Sequence, residues 1–309
     1  MRGDERKGVA GQFPEAVPLR TYPCEITRSP GANTLSRIQL IDDPDDPRLA
    51  PFREVRDRDV AGRHGGFIAE GEVVLRVLAR QRRHRTRSVL VAAKRVEGLA
   101  PILSAFADDV AIYAAGQTVM DAVVGFPIHR GILAFGERAP EETPDALLTR
   151  IEGPARVVCL FGVSNHDNVG GVFRNAAAFG AAAVMLDGAC CDPLYRKAIR
   201  VSVGAALAIP FARLDPGEDP LELLARHGFE ALALSPAGAT PLADLSPPTR
   251  AAVLLGAEGH GLPPALLQRA RTISIPMAGD FDSLNLATTS GVVLNHLAHA
   301  PGVSEDRGG

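Results

Sequence analysis

Asn168-Val-Gly-Gly-Val-Phe-Arg-Asn175 follows an apolar run, Val157-Val-Cys-Leu160, and opens a helical pattern. Asn168 stands where an N-cap side chain would satisfy orphan N–H groups. Gly170 and Gly171 admit another backbone, or a ligand, at close range. Arg174 falls in the helix's first or second turn, and a guanidinium fork near a helix N-terminus suits a phosphodiester. Taken alone, the segment reads equally well as a capped helix carrying a solvated arginine.

Two later stretches repeat the arrangement. Gly256-Ala-Glu-Gly-His-Gly-Leu262 comes directly after the run Ala251–Leu255, with Glu258 as its one carboxylate. Its glycine spacing and late position do not match a dinucleotide-binding fingerprint. Ile275-Pro-Met-Ala-Gly279 ends another apolar run, and Ser283-Leu-Asn285 then begins an apolar helix in which Ser283 is a candidate cap. Asn285 brings a side chain that donates and accepts at once. Glycines and polar side chains at the ends of successive strands mark the edge where open α/β sheets hold ligands.

Around these stretches the second half of the chain alternates strand-like runs with helical segments. The runs are Arg156–Phe161, Ala182–Leu186, Ala231–Leu234, Ala251–Leu255 and Thr272–Ile275. Such alternation implies an α/β domain with a mostly parallel sheet covered on both faces, over residues 155–300. The run Phe67-Ile-Ala-Glu-Gly71, a helical spacing at Val73, Val74, Val77 and Leu78, and β-like runs up to Arg130–Phe135 predict a smaller α/β domain over 51–136. Residues 137–154 carry three prolines and four glutamates and read as a linker. Residues 1–45 and 301–309 read as disordered.

The 309 residues suit two domains, and 46% hydrophobic content is ample for their cores. A net charge of −3 excludes a globally basic nucleic-acid binder, so an RNA partner requires a local patch. The densest basic run, Arg80, Arg82, Arg83, Arg85 and Arg87, is the candidate, read as the end of a helix. With no Trp and 5% aromatics, extended base-stacking platforms are excluded. Cys24, Cys159, Cys190 and Cys191 form no CxxC pair and no metal-ligand set, and read as reduced, passive thiols. No apolar run is long enough to span a bilayer and no secretory leader is evident, so the cytoplasm is expected.

In this order the three stretches resemble the SpoU, or TrmH-like, branch of the SPOUT RNA methyltransferases. The first family motif is matched by Asn168, Gly170, Arg174 and Phe179-Gly180, and the second by Gly256, Glu258, Gly259, Gly261 and Leu262. Ile275-Pro-Met-Ala-Gly279 with Ser283-Leu-Asn285 matches the third, and Asp192-Pro-Leu-Tyr-Arg-Lys-Ala198 also has the family's look. Phe67–Gly71 resembles the small substrate-binding domain that often precedes the catalytic one. Asn175 and Thr288-Thr-Ser290 depart from the pattern, standing where many relatives have Thr and small apolar residues.

The resemblance implies a sheet threaded into a trefoil knot, S-adenosyl-L-methionine as cofactor, a homodimer, and methylation of a 2′-hydroxyl in rRNA or tRNA. It assigns cofactor contacts to Leu234, Gly256, Gly261, Ile275, Met277 and Leu284, largely through backbone groups. Arg174 becomes the principal catalytic candidate, with Asn168, Glu258, Asn285 and Ser283 around it. Two other readings compete. One is an RNA-binding module that has lost its cofactor site, which cofactor calorimetry would separate. The other is a nucleotide-dependent oxidoreductase, disfavoured by the missing ribose-binding acid after an early strand.

Overall fold

The computed structural model describes residues 34–53, 65–279 and 283–299. The expected tail at 301–309 and most of the expected N-terminal extension lie outside the described residues.

Two sheets organise the chain. The first takes β1 (Ile38–Ile41), β2 (Gly66–Glu70), β3 (Arg85–Ala92), β4 (Ala111–Ala115) and β5 (Ile132–Glu137) in the order β1-β4-β3-β5-β2. Here β5 runs antiparallel to both of its neighbours, while β1, β4 and β3 pair in parallel. Around this sheet lie α1 (Glu72–Arg80), α2 (Val96–Leu103) and α3 (Gln117–Val124). The helical spacing in α1 buries Val74, Leu75 and Leu78 and leaves Val73 on the outside.

The second sheet takes β6 (Ala155–Phe161), β7 (Ala183–Leu186), β8 (Phe211–Arg213), β9 (Glu230–Leu234), β10 (Thr240–Pro241), β11 (Arg250–Gly256) and β12 (Arg271–Ser274). Their order is β10-β12-β9-β11-β6-β7-β8, and every pairing is parallel. All five strands read from the second half of the sequence are present. The short strands β8 and β10 were not legible, because three and two residues carry no period. One face packs against α5 (His166–Ala178) and α10 (Leu286–His299), with Val169, Phe173, Val293 and Leu297 in the core. The other face meets α4 (Pro144–Thr149) and α8 (Pro220–Arg226). Completing the domain are α6 (Arg196–Val201), α7 (Ala205–Ala208) and α9 (Pro264–Leu267).

Three boundaries differ from the sequence reading. Ile38–Ile41, placed in the extension, forms β1, because Ile41 buries beside β4 and the ladder satisfies its backbone. Regular structure therefore begins before Pro51. The expected linker contains α4, whose Leu147 and Leu148 are buried in the core of the second sheet. Its prolines and glutamates hid a short helix that Pro144 opens at its first position and the Thr143 side chain caps. The basic run is also not a helix end throughout. Arg80 closes α1, but Arg85 and Arg87 lie on β3.

The two domains pack on each other. Leu194, Ile199 and Leu207 of the second join the apolar core of the first. Arg83 donates to the backbone oxygens of Ile209 and Phe211, and its guanidinium lies 4.4 Å from the centre of the Phe211 ring. Arg138 pairs with Asp192, and Arg196 pairs with the buried Glu70 at 2.9 Å.

His84 sits at this seam, buried against Phe67, with its Nδ1 accepting from the Ala139 N–H at 3.0 Å. Burial, then the nearby Arg83 and Arg138 charges, lowers its pKa from 6.5 to about 4. A folded pKa below the unfolded one means the unfolded chain binds more protons in that window. The stability from neutral His84 is therefore complete above pH 6.5 and drains as pH falls toward 4. Unfolding midpoints measured between pH 7.5 and 5 should decline, and His84→Gln should flatten the decline. An unchanged slope in that variant would count against this account.

Candidate active site

At the carboxyl edge of the second sheet, the loops after β6, β9, β11 and β12 open on the same side, because their strands are parallel. In register, Leu234 lies opposite Ile273, and Gly256 lies opposite Phe161. The chain from β11 turns back at once. Ala257 bridges Gly261, and the Gly261 N–H donates to the Ala257 oxygen at 3.0 Å. A Cβ on Gly256 would sit 2.1 Å from the Gly261 carbonyl carbon, so only glycine lets the loop close. Gly259 and Gly261 take φ of +88° and +66° with open space where a side chain would be. Leu262 is buried and anchors the loop's far end.

Three of the sequence-selected side chains meet here. The Asn285 Nδ2 donates to Asn168 Oδ1 at 2.9 Å and to Glu258 Oε1 at 3.2 Å. Its Oδ1 accepts from the N–H groups of Ala287 and Thr288 at 3.0 and 3.3 Å. One amide thus caps α10 and joins the segments after β6, β11 and β12. Asn285, and not Ser283, is the side chain seen capping that helix. Ser283 and Leu284 lie exposed just ahead of it.

The N-cap of α5 is likewise not Asn168 but Asn165, whose side chain accepts from the Asp167 N–H at 2.8 Å. This frees Asn168, only 3% exposed, to turn inward toward Asn285. The neighbouring glycines serve backbone packing. A Cβ on Gly170 would lie 2.8 Å from the Ala198 oxygen, and one on Gly171 would lie 2.4 Å from the Ala287 Cβ. Wedged between α6 and α10, α5 tolerates nothing larger.

The two departures from the family pattern contact each other. Asn175 Nδ2 donates to Ser290 Oγ at 2.9 Å and to the Ala287 oxygen at 2.6 Å. No local pattern links them, since 115 residues divide them.

Arg174 is not part of the joint. Its side chain is exposed and has no hydrogen bond or ion pair among the described residues. It lies six residues along α5 from Asn168, about 9 Å at the helical rise. Of the cofactor candidates, Leu234, Gly256, Gly261, Ile275 and Met277 cluster at the strand ends, and Leu284 stands beside Asn285. Asp280 to Asp282 fall outside the described residues.

The basic run divides. Arg85 pairs with Asp109, Arg87 pairs with Glu137, and Arg83 is spent on the domain seam, while Arg80 and Arg82 stay exposed. Burial raises the thiols of Cys159 and Cys190 to about 12 and that of Cys191 to about 11. No group of three or more potential metal ligands occurs among the described residues. Nor is any helix among them long and apolar enough to cross a membrane.

The SpoU rRNA Methylase family model matches residues 155–295. An uncharacterized tRNA/rRNA methyltransferase of Mycobacterium bovis is 38% identical over 267 residues, 82% of this chain and 89% of that protein. Another of Mycobacterium avium is 32% identical over 214 residues, 68% of this chain and 69% of its own length. Among solved structures, an AdoMet-bound rRNA methyltransferase from Sinorhizobium meliloti shares the fold, with a TM-score of 0.69 at 23% identity over 84% of this chain and 97% of that one. An RNA 2′-O ribose methyltransferase superposes with a TM-score of 0.67 at 25% identity, over 84% and 98% of the two chains. With all three motifs assembled at one sheet edge and these likenesses over most of its length, the chain belongs to the SpoU family of RNA methylases.

Proposed function

We propose that the protein transfers a methyl group from S-adenosyl-L-methionine to the 2′-hydroxyl of one nucleotide in rRNA or tRNA. The observation that carries this reading is the joint of Asn168, Glu258 and Asn285 beside the closed glycine loop. The edge suits the cofactor. Backbone groups at Leu234 and Gly256, the last residues of their strands, and at Ile275 and Leu284 beyond β12 would hold its adenine end, and the open space at Gly259 and Gly261 leaves room for it. When bound, the cofactor supplies an electrophilic methyl group on a sulfonium.

The chain's own groups then have to place the ribose and ease loss of its hydroxyl proton. Arg174 grips the phosphate beside the target ribose and lowers the hydroxyl's effective pKa. A guanidinium offers five N–H donors and no acceptor, so Arg174 is not the base. Asn285 holds Glu258 and Asn168 at fixed positions, and Ser283 contributes a hydroxyl at the rim. A homodimer belongs to the same reading, because Leu284 and Val292, 39% and 40% exposed, put apolar surface next to this site. So does the knotted threading, supported by α10, which follows β12 yet packs against α5 near the start of the domain. The cytoplasm is the matching location.

The test is nucleoside analysis of RNA incubated with the protein and methyl-labelled S-adenosyl-L-methionine. A labelled 2′-O-methylnucleoside is expected. Label carried on a base would refute the ribose assignment and leave methyl transfer standing.

A further inference from the structure

A second basic surface, absent from the sequence reading, lies at the carboxyl edge of the small sheet. The connections after β2 and β3 and before β5 converge there. Arg95 pairs with Glu72 at 2.9 Å and donates to the Arg130 oxygen, and a Cβ on Gly71 would lie 3.1 Å from an Arg130 guanidinium nitrogen. Asp121 accepts from the Ile128 N–H and from Gln117, both at 2.8 Å, and lies near Lys94 and His129.

This edge adjoins the methylase domain. Glu70, one residue before Gly71, pairs with Arg196 of α6, whose guanidinium lies over the Phe126 ring at 5.6 Å. The next residue, Lys197, pairs with Asp167 at 2.7 Å, and Asp167 precedes Asn168. Arg200 follows Arg196 by four residues on the same helix, so it extends this face by one turn. Three carboxylates beside these cations are paired, Glu70 with Arg196, Glu72 with Arg76 and Arg95, and Asp167 with Lys197, while Asp121 accepts from Gln117 and the Ile128 N–H and Glu97 stays exposed. Lys94, Arg130 and Arg200 are exposed and have no ion pair among the described residues.

We infer that the RNA backbone crosses Lys94, Arg130, Lys197 and Arg200 on its way to the Asn168–Glu258–Asn285 joint, and does not follow the Arg80–Arg87 run. This rests on the RNA-methylating reading above and specifies its substrate path. Arg80 and Arg82 lie at the opposite end of α1, about 12 Å along the helix from Glu72. That end adjoins β8, to which Arg83 is bound, and three strand spacings, roughly 14 Å, separate β8 from β11. Phosphate contacts fix register on a nucleic acid, so cations continuous with the site position the target nucleotide better than remote ones.

The experiment measures binding of a mixed-sequence RNA hairpin transcript between 50 and 200 mM salt, in units set by the salt dependence of phosphate contacts. The double variant Lys94→Glu with Arg130→Glu should bind at least about tenfold more weakly and lose about 2 from the salt slope. Lys94→Gln with Arg130→Gln should show a smaller loss in the same direction, and Arg80→Glu with Arg82→Glu a smaller loss than the first pair. Wild-type affinity and slope in the Lys94/Arg130 variants, or an equal or larger loss in the Arg80/Arg82 variant, would overturn the path. Cofactor calorimetry and nucleoside analysis of the wild type on the same preparations keep this failure separate from failure of the methyl-transfer reading.

Discussion

Arg174→Ala is expected to cut methyl transfer at least about a hundredfold, the scale for removing a single preorganised donor to developing charge. Cofactor affinity should stay within about twofold, and stability should not fall. The guanidinium is exposed and free of partners among the described residues, so nothing in the fold loses a contact. Alanine also propagates a helix at least as well as arginine. Arg174→Lys keeps the charge but not the planar fork, and should recover only part of the rate. Single-turnover rates alongside calorimetry separate these outcomes. Unchanged turnover in the alanine variant would remove Arg174 from the chemistry.

Gly256→Ala should act in the reverse manner, damaging the cofactor site and the fold together. The added methyl would lie 2.1 Å from one backbone atom of Gly261 and 2.3 Å from the Leu262 nitrogen, so the loop must shift. Overpacking of this kind costs about 1–3 kcal/mol, and here the obstacle is backbone that no rotamer change relieves. For a chain of this size the melting point should fall by several degrees, about 2–4 °C per kcal/mol. Cofactor affinity should fall at least about tenfold, because Gly259, Gly261 and Glu258 all hang from the displaced turn. A variant with wild-type melting and wild-type affinity would show that the tight closure is dispensable.

How far the sequence could be read depended on the range of each interaction. Strands β6, β7, β9, β11 and β12 announce themselves as apolar runs ended by glycine, proline or polar residues, a signal complete within each run. β8 and β10 are too short for any period, and exist because a neighbouring strand supplies their ladder. Helix α4 was hidden among prolines and glutamates, although Thr143-Pro144 is a local start signal. Asn168 and Ser283 were read as caps by residue type, yet Asn165 and Asn285 take those places. Capping preference names several residue types, and only the path of the chain chooses among neighbours.

By itself the sequence determined the parallel sheet, the family, and the three loops that make the site, because glycine and asparagine at strand ends are demanded by local backbone geometry. Only the tertiary structure decided that Asn285 joins Asn168 to Glu258, that Asn175 meets Ser290, and that Arg83 clamps two domains together. Those contacts span from 27 to more than a hundred residues, and no local pattern encodes a pairing that exists only once the helices have packed.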